Sequence, residues 1–436
     1  MKKFLLKHPL FKTLVDLKGN PRVCVYTEPM WGLSVNLCLP YATVFMLALG
    51  LSDTQVGLVT SIYMFSQMIF AFLSGAIVDK LGRRKSTAIF DFISWSLPCL
   101  IWAFSQGFWF FVVAALLNGT MKIPTVSWDS LLIEDAPKDQ VTKIYSWITI
   151  ATNFSALFAP ISSIMVSRLT LVPAIRILYI NAFVVMTIKT FLLFRFSTET
   201  KVGRIKQEQT HDKSLGQLLY SYKGALGKIF KSRATKFAIV ISILVEIVTM
   251  IGTTFWQVIS SRRIGIPDTL LPIFPMFKSI LTFIIFFTLI TKIDQKRLKR
   301  PLLVGFISAL IAYLVLISIK GTGVWGYILL TVSLAFEALG MALLGTLRGS
   351  LVAINVDPME RSSILAILQT TVMLVSVPFG YIAGSLSDIS RTLPFILGIG
   401  LLILGILATL WYYGSRDKSA KVDGNYSAKE ETYEGL

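Results

Sequence analysis

A chain of 436 residues with 54% hydrophobic and 15% charged side chains and a mean hydropathy of +0.69 is too apolar for a soluble globular protein. In such proteins roughly a quarter of the residues are charged, so most of this chain must face lipid. The formal net charge of +18 does not indicate a nucleic-acid partner, because the cations sit almost entirely in the gaps between apolar runs. Cys24, Cys38 and Cys99 are odd in number and lie in or beside apolar segments. They read as small buried hydrophobes rather than disulfides or metal ligands.

Residues 1–23 form a basic cytoplasmic segment. Lys7 interrupts its apolar stretch and no small-x-small site follows, so no cleaved signal peptide is expected. Its first seventeen residues read either as an amphipathic helix with Phe4, Leu5 and Phe11 against the inner leaflet or as a loose tail. Twelve apolar spans follow, each long enough to cross about 30 Å of hydrocarbon. They fall near 24–49, 55–78, 86–106, 108–134, 140–167, 174–195, 234–259, 267–291, 300–319, 323–353, 358–386 and 391–414. The long polar stretch 196–233 divides the chain into two halves, 24–195 and 234–414, and 415–436 reads as a disordered cytoplasmic tail. With both termini cytoplasmic, the external gaps hold only Arg168, Arg176, Arg262, Arg263, Lys320 and Arg391 of the 42 Lys and Arg. That asymmetry gives the orientation expected of an inner-membrane, multi-pass protein.

Between spans 2 and 3 the chain reads Gly75-Ala-Ile-Val-Asp79-Lys80-Leu-Gly82-Arg83-Arg84-Lys85. Gly75 and Asp79 share a helical face, Gly82 suits a tight turn, and the cations at 80, 83, 84 and 85 hold that turn on the cytoplasmic side. The pattern Gly-x-x-x-Asp-(Arg/Lys)-x-Gly-Arg-(Arg/Lys) resembles the loop 2–3 signature of the major facilitator superfamily, matched at every defining position. The resemblance implies an all-α membrane protein with twelve transmembrane helices in two pseudo-symmetric six-helix bundles around a solute site. It also implies that Asp79 faces the start of helix 11, just after Pro358, and that the motif latches the cytoplasmic side. Glu134 and Asp135, at the foot of span 4, are the expected partners of Arg83 or Arg84. Weaker second copies appear at Asp294–Arg300 and at Asp357-Pro358-Met-Glu-Arg361, the counterpart of Asp135-Ala-Pro137-Lys-Asp-Gln140.

Ionisable groups inside spans are costly and usually face a cavity, a partner or a proton path. Lys122, Glu246, Lys278 and Glu337 lie near mid-depth, Asp91 about a turn into span 3, and Asp129 two turns beyond Lys122. Lys122 with Asp129 or Asp91 is either a structural pair or a substrate or coupling site. Glu246 and Glu337 are the stronger candidates for proton coupling, with Lys278 a possible counter-ion of Glu246. Arg348 is close enough to the cytoplasm to snorkel, and Glu28 reads as an interfacial helix start. Trp31, Trp128 and Trp256, on spans 1, 4 and 7, either touch solute or pack between helices.

Superfamily exporters often carry an Arg in helix 4, four residues before a Gly; here Ala115 precedes Gly119, leaving Lys122 as the cation of span 4. The exporter motif of helix 5 is equally imperfect, with Ala159-Pro160 after Ser155. His8 and His211, the only histidines, lie outside the spans, and Gly227-Lys228 lacks the rest of a phosphate loop. No metal, no cofactor and no enzymatic set are expected. The expectation is a monomeric secondary transporter of a small organic molecule, in contact with membrane lipid and coupled to H+, with export placed ahead of sugar or metabolite uptake. A transporter-like sensor or lipid scramblase without ion coupling is the alternative from another class.

Overall fold

The computed structural model describes residues 14–137, 140–220, 233–289, 298–321, 323–354 and 361–433. Twelve of its helices are long and apolar enough to cross a membrane. Spans 1–6 are Gly19–Ala48, Asp53–Leu81, Arg83–Ala103, Phe108–Ile133, Trp147–Leu169 and Leu171–Phe196. Spans 7–12 are Thr235–Ile264, Asp268–Phe286, Lys299–Ser318, Val324–Arg348, Ile367–Ile389 and Leu393–Gly414. The first six pack on one another, as do the last six. The final helix continues from Leu393 to Tyr433, so the tail expected to be disordered is helical to that point. Its Ala, Lys and Glu content is compatible with helix. The expectations for Phe4, Leu5, His8, Phe11, Gly227, Lys228, Asp294, Asp357 and Pro358 fall outside the described residues.

Several spans are interrupted where the sequence supplies a breaker. Span 4 is two helices, Phe108–Gly119 and Lys122–Ile133, so Lys122 begins the second. Span 5 breaks before Pro160, which opens its second helix with a missing N–H that costs nothing there. A π-helical turn, Phe92–Ser96, runs through span 3. Irregular backbone at such depth persists where it lines a cavity or is covered by protein.

The two sets of six meet mainly at the face away from the termini, here termed the far face. Span 7 holds span 1: the Gln257 carbonyl oxygen accepts the Thr43 N–H at 3.1 Å, its amide donates to the Leu39 carbonyl at 2.8 Å, and Thr43 Oγ1 donates to the Thr254 carbonyl at 2.9 Å. Spans 2 and 11 are joined more tightly. Asp388 accepts the N–H groups of Asp53 and Thr54 at 3.0 and 2.9 Å, capping span 2 from the other half, while Asp53 accepts from Ser387 at 2.6 Å. The Ser61 hydroxyl enters the ladder of span 11, donating to the Val377 carbonyl at 2.6 Å and accepting the Tyr381 N–H at 2.8 Å. These are groups four apart that would otherwise pair, and Pro378 lies between them.

Glycine makes this approach possible. A Cβ on Gly57 would lie 2.4 Å from the Gly380 carbonyl oxygen and 2.7 Å from the Gly384 Cα. Gly57→Leu should therefore wedge spans 2 and 11 apart. The expected result is faster reaction of an impermeant maleimide with a Thr54→Cys reporter in the Gly57→Leu background than in the otherwise unaltered chain.

Candidate functional site

Gly82 ends span 2 with φ +85°, a conformation that a side chain would strain, and its N–H donates to the Val78 carbonyl at 2.9 Å. The turn brings Arg83 back over Asp79. Arg83 Nη1 donates to Asp79 Oδ1 at 2.9 Å, and its Nε reaches the two Glu134 oxygens at 3.2 and 3.3 Å. With only 7% of its side chain exposed, the guanidinium is a nearly buried cation shared by two carboxylates. Asp135 accepts the Lys201 N–H at 3.4 Å, and Arg84 turns away to the Phe194 carbonyl, at 2.6 and 3.0 Å, and to its ring face.

The chain after span 6 closes over this motif. Glu199 accepts the N–H groups of Arg83 and Arg84 at 2.9 and 3.0 Å, satisfying two otherwise open donors at the start of span 3. Thr200 caps the helix Lys201–Thr210 and donates to Glu134. From that helix Gln207 donates to the Leu81 carbonyl at 2.9 Å and Thr210 to the Asp79 carbonyl at 3.1 Å, while Lys80 donates to the Lys213 carbonyl at 2.9 Å. The motif's described contacts are thus with span 4, the end of span 6 and the linker around this helix.

Above the motif a cavity of about 740 Å³ runs along spans 1–4 and 6 and is bordered by Lys206 of the linker helix and Gln369 of span 11. Gly75, Asp79 and Arg83 line its mouth; Glu28, Trp31, Asp91, Lys122, Trp128, Asp129 and Lys189 line its wall. Asp91 is not paired with Lys122. It is held by Lys189 of span 6, Nζ to Oδ2 3.0 Å, with both groups buried. Asp129 accepts from the Tyr145 hydroxyl at 2.7 Å. Neither expected partner of Lys122 thus pairs with it, and the charges that act on it are Glu246 and Arg348 of the other half. Glu28 is not an interfacial helix start: it is buried in mid-helix beside Lys189.

In the second half Lys278 pairs with Glu337, at 2.7 Å, and not with Glu246. Glu246 is instead bound by Arg348 at 2.5 Å, which turns inward rather than snorkelling. Consecutive spans are not always facing spans, and Arg348, about three helical turns beyond Glu337 on nearly the same face, reaches span 7 instead. A smaller cavity of about 170 Å³ joins the halves, lined by Asn36, Trp256, Gln257, Lys278 and Glu337. Trp256 packs edge-on against Phe274, with ring centres 5.8 Å apart.

Three participants escaped the sequence reading. Lys189 lies within span 6, only a few residues from its end, where a lysine normally snorkels. Glu199 and Gln207 lie in the polar linker. The linker did carry a signal, Thr200 followed three residues later by Gly203 at the start of a helix.

A family model described as Major Facilitator Superfamily matches residues 31–377. The chain belongs to the major facilitator superfamily. Two resistance proteins match part of this superfamily member: the quinolone resistance protein NorA of Staphylococcus aureus, 25% identical over 131 residues, and the multi-drug resistance efflux pump PmrA of Streptococcus pneumoniae, 26% over 132. Each match covers 29% of this chain and 33% of the relative's length. Among solved structures, the nucleoside transporter NupG superposes with a TM-score of 0.69 at 15% identity, covering 91% of this chain and 99% of its own. The inward-open xylose transporter XylE from E. coli superposes with a TM-score of 0.65 at 15% identity, covering 93% and 95%. These likenesses establish the superfamily fold, and the chain is a multi-pass membrane transporter with twelve candidate transmembrane helices.

Proposed function

We propose that this transporter is a proton-coupled exporter of small organic solutes that works by alternating access, described here with its cavity open to the cytoplasm. The observation that carries the reading is the cavity of about 740 Å³ lined mostly by the first six spans, with Gln369 of span 11 at its border. It reaches the motif turn, is shut off at the far face, and mixes ionised groups with indole rings. In this reading both termini are cytoplasmic, 24–195 and 234–414 rock against each other, 196–233 joins them, and the transporter is a monomer. The partial likeness to NorA and PmrA, whose names describe resistance and efflux, supports export.

Glu246 and Glu337 are the coupling groups of this reading. Each holds one cation, Arg348 and Lys278 respectively, and a proton on either carboxyl would release its partner. Proteoliposomes with an imposed pH gradient test this with a panel of organic solutes. Glu246→Gln and Glu337→Gln should each abolish gradient-driven accumulation while leaving downhill exchange. If both variants accumulate solute like the parent, the coupling assignment fails. One observation favours proton-coupled uptake instead: Ala115, buried in span 4, stands where related exporters often carry an Arg. Reversing the gradient separates the two, since only an exporter accumulates solute on the side from which protons are drawn.

A further inference from the structure

Glu28 has no part in the coupling just proposed, yet it is the most exacting group on the cavity wall. It is 7% exposed, lines the cavity, and makes no hydrogen bond or ion pair with a described residue. Its favourable electrostatic neighbour is Lys189, but that ammonium is already held by Asp91 at 3.0 Å. Two carboxylates and one ammonium leave the cluster one negative charge in excess, and a buried charge without a full partner is costly.

The surroundings of Glu28 are aromatic. Trp31 follows it by three residues and so stands on the same helical face. It meets Trp95 edge-on, with centroids 5.5 Å apart and planes at 87°. Trp95 belongs to the π-helical turn Phe92–Ser96, the kind of irregularity that recurs at functional sites. Trp128 lines the same space. An orphan carboxylate and indole rings thus converge on one cavity. Other charges on the wall are engaged elsewhere: Arg83 by Asp79 and Glu134, and Asp129 by Tyr145. Lys122 lies toward Glu246 and Arg348 of the other half.

We propose that this corner is the seat of an organic ammonium group, with Glu28 as counter-ion and Trp31 and Trp95 as cation–π partners. A bare alkali ion would leave the indoles unused, and a carboxylate solute would be repelled by Glu28. The proposal deepens the exporter reading by naming its cargo class, and it rests on that reading only for the direction of movement.

Equilibrium binding to the full-length protein in nanodiscs, without any gradient, tests the site. The probe is tritiated benzyltrimethylammonium, and its neutral carbon isostere neopentylbenzene is the competitor. Saturable binding of the cation is expected, poorly displaced by the isostere and weakened about tenfold or more by Glu28→Gln. Glu28→Asp, which keeps the charge, should retain most of it, and Trp31→Leu should weaken it without changing elution or melting of the protein. Equal binding of cation and isostere, or Glu28→Gln binding like the parent while remaining folded, would overturn the proposal. Glu28-dependent binding without gradient-driven export in proteoliposomes supports the site and fails the exporter reading. Gradient-driven export of neutral solutes only, with no cation binding, does the reverse.

Discussion

Lys189→Met is expected to destabilise the protein by about 3–5 kcal/mol. Its ammonium pairs with Asp91 at 3.0 Å with both side chains almost fully buried, and it also acts favourably on Glu28. Methionine keeps the volume and removes the charge, so the loss is electrostatic rather than a packing defect. Two carboxylates then remain in a poorly solvated interior. The paired change Asp91→Leu with Lys189→Met removes one carboxylate along with the ammonium and should recover much of the loss, because replacing a buried pair is far cheaper than breaking it. Thermal unfolding of the detergent-solubilised protein reads the ranking: parent highest, the pair next, Lys189→Met lowest. A single Lys189→Met variant as stable as the pair would mean that the three groups do not act as one cluster.

The fold was legible from the sequence because each membrane span must satisfy its own backbone, which forces long uninterrupted apolar runs separated by cation-rich gaps. Spans 1–12 follow from that alone. The Asp79-Lys80-Leu-Gly82-Arg83 run was equally legible, since Gly82 fixes a turn and a residue four beyond Asp79 must lie over it. Pairings between distant spans were not. A single apolar sequence carries no record of which helix faces which, so it offers Asp91 or Asp129 to Lys122 and Glu246 to Lys278, whereas Asp91 pairs with Lys189 and Lys278 with Glu337. Arg348 and Glu28 were misplaced for a related reason: near a span end, exposure depends on the neighbouring helix and not on depth. The linker was hidden differently. Glu199 and Gln207 look like ordinary solvated polar residues until the chain folds them against the ends of spans 2 and 3.

That hidden contact makes Arg83→Ala the change with the widest expected consequence. The guanidinium is held by Asp79 at 2.9 Å and by Glu134 at 3.2 Å, and Glu134 in turn accepts from Thr200 at the start of the linker helix. Removing it leaves two partly buried carboxylates facing each other, a penalty of up to about 3–5 kcal/mol concentrated where the linker docks. The backbone N–H groups of residues 83 and 84 can still reach Glu199, so the turn itself should survive. What should be lost is the hold of Glu134 on Thr200 and, with it, the helix Lys201–Thr210. Trypsin should then cut faster at Lys201, Arg204 and Lys206 than in the parent. Arg83→Lys should not restore the parent rate, because one ammonium cannot span both carboxylates as the planar guanidinium does. Gln207→Leu, which removes only the hydrogen bond to the Leu81 carbonyl, should raise cleavage to a smaller degree. If Arg83→Ala leaves cleavage at the parent rate, the linker is held by its backbone caps alone, and the motif does not govern its docking.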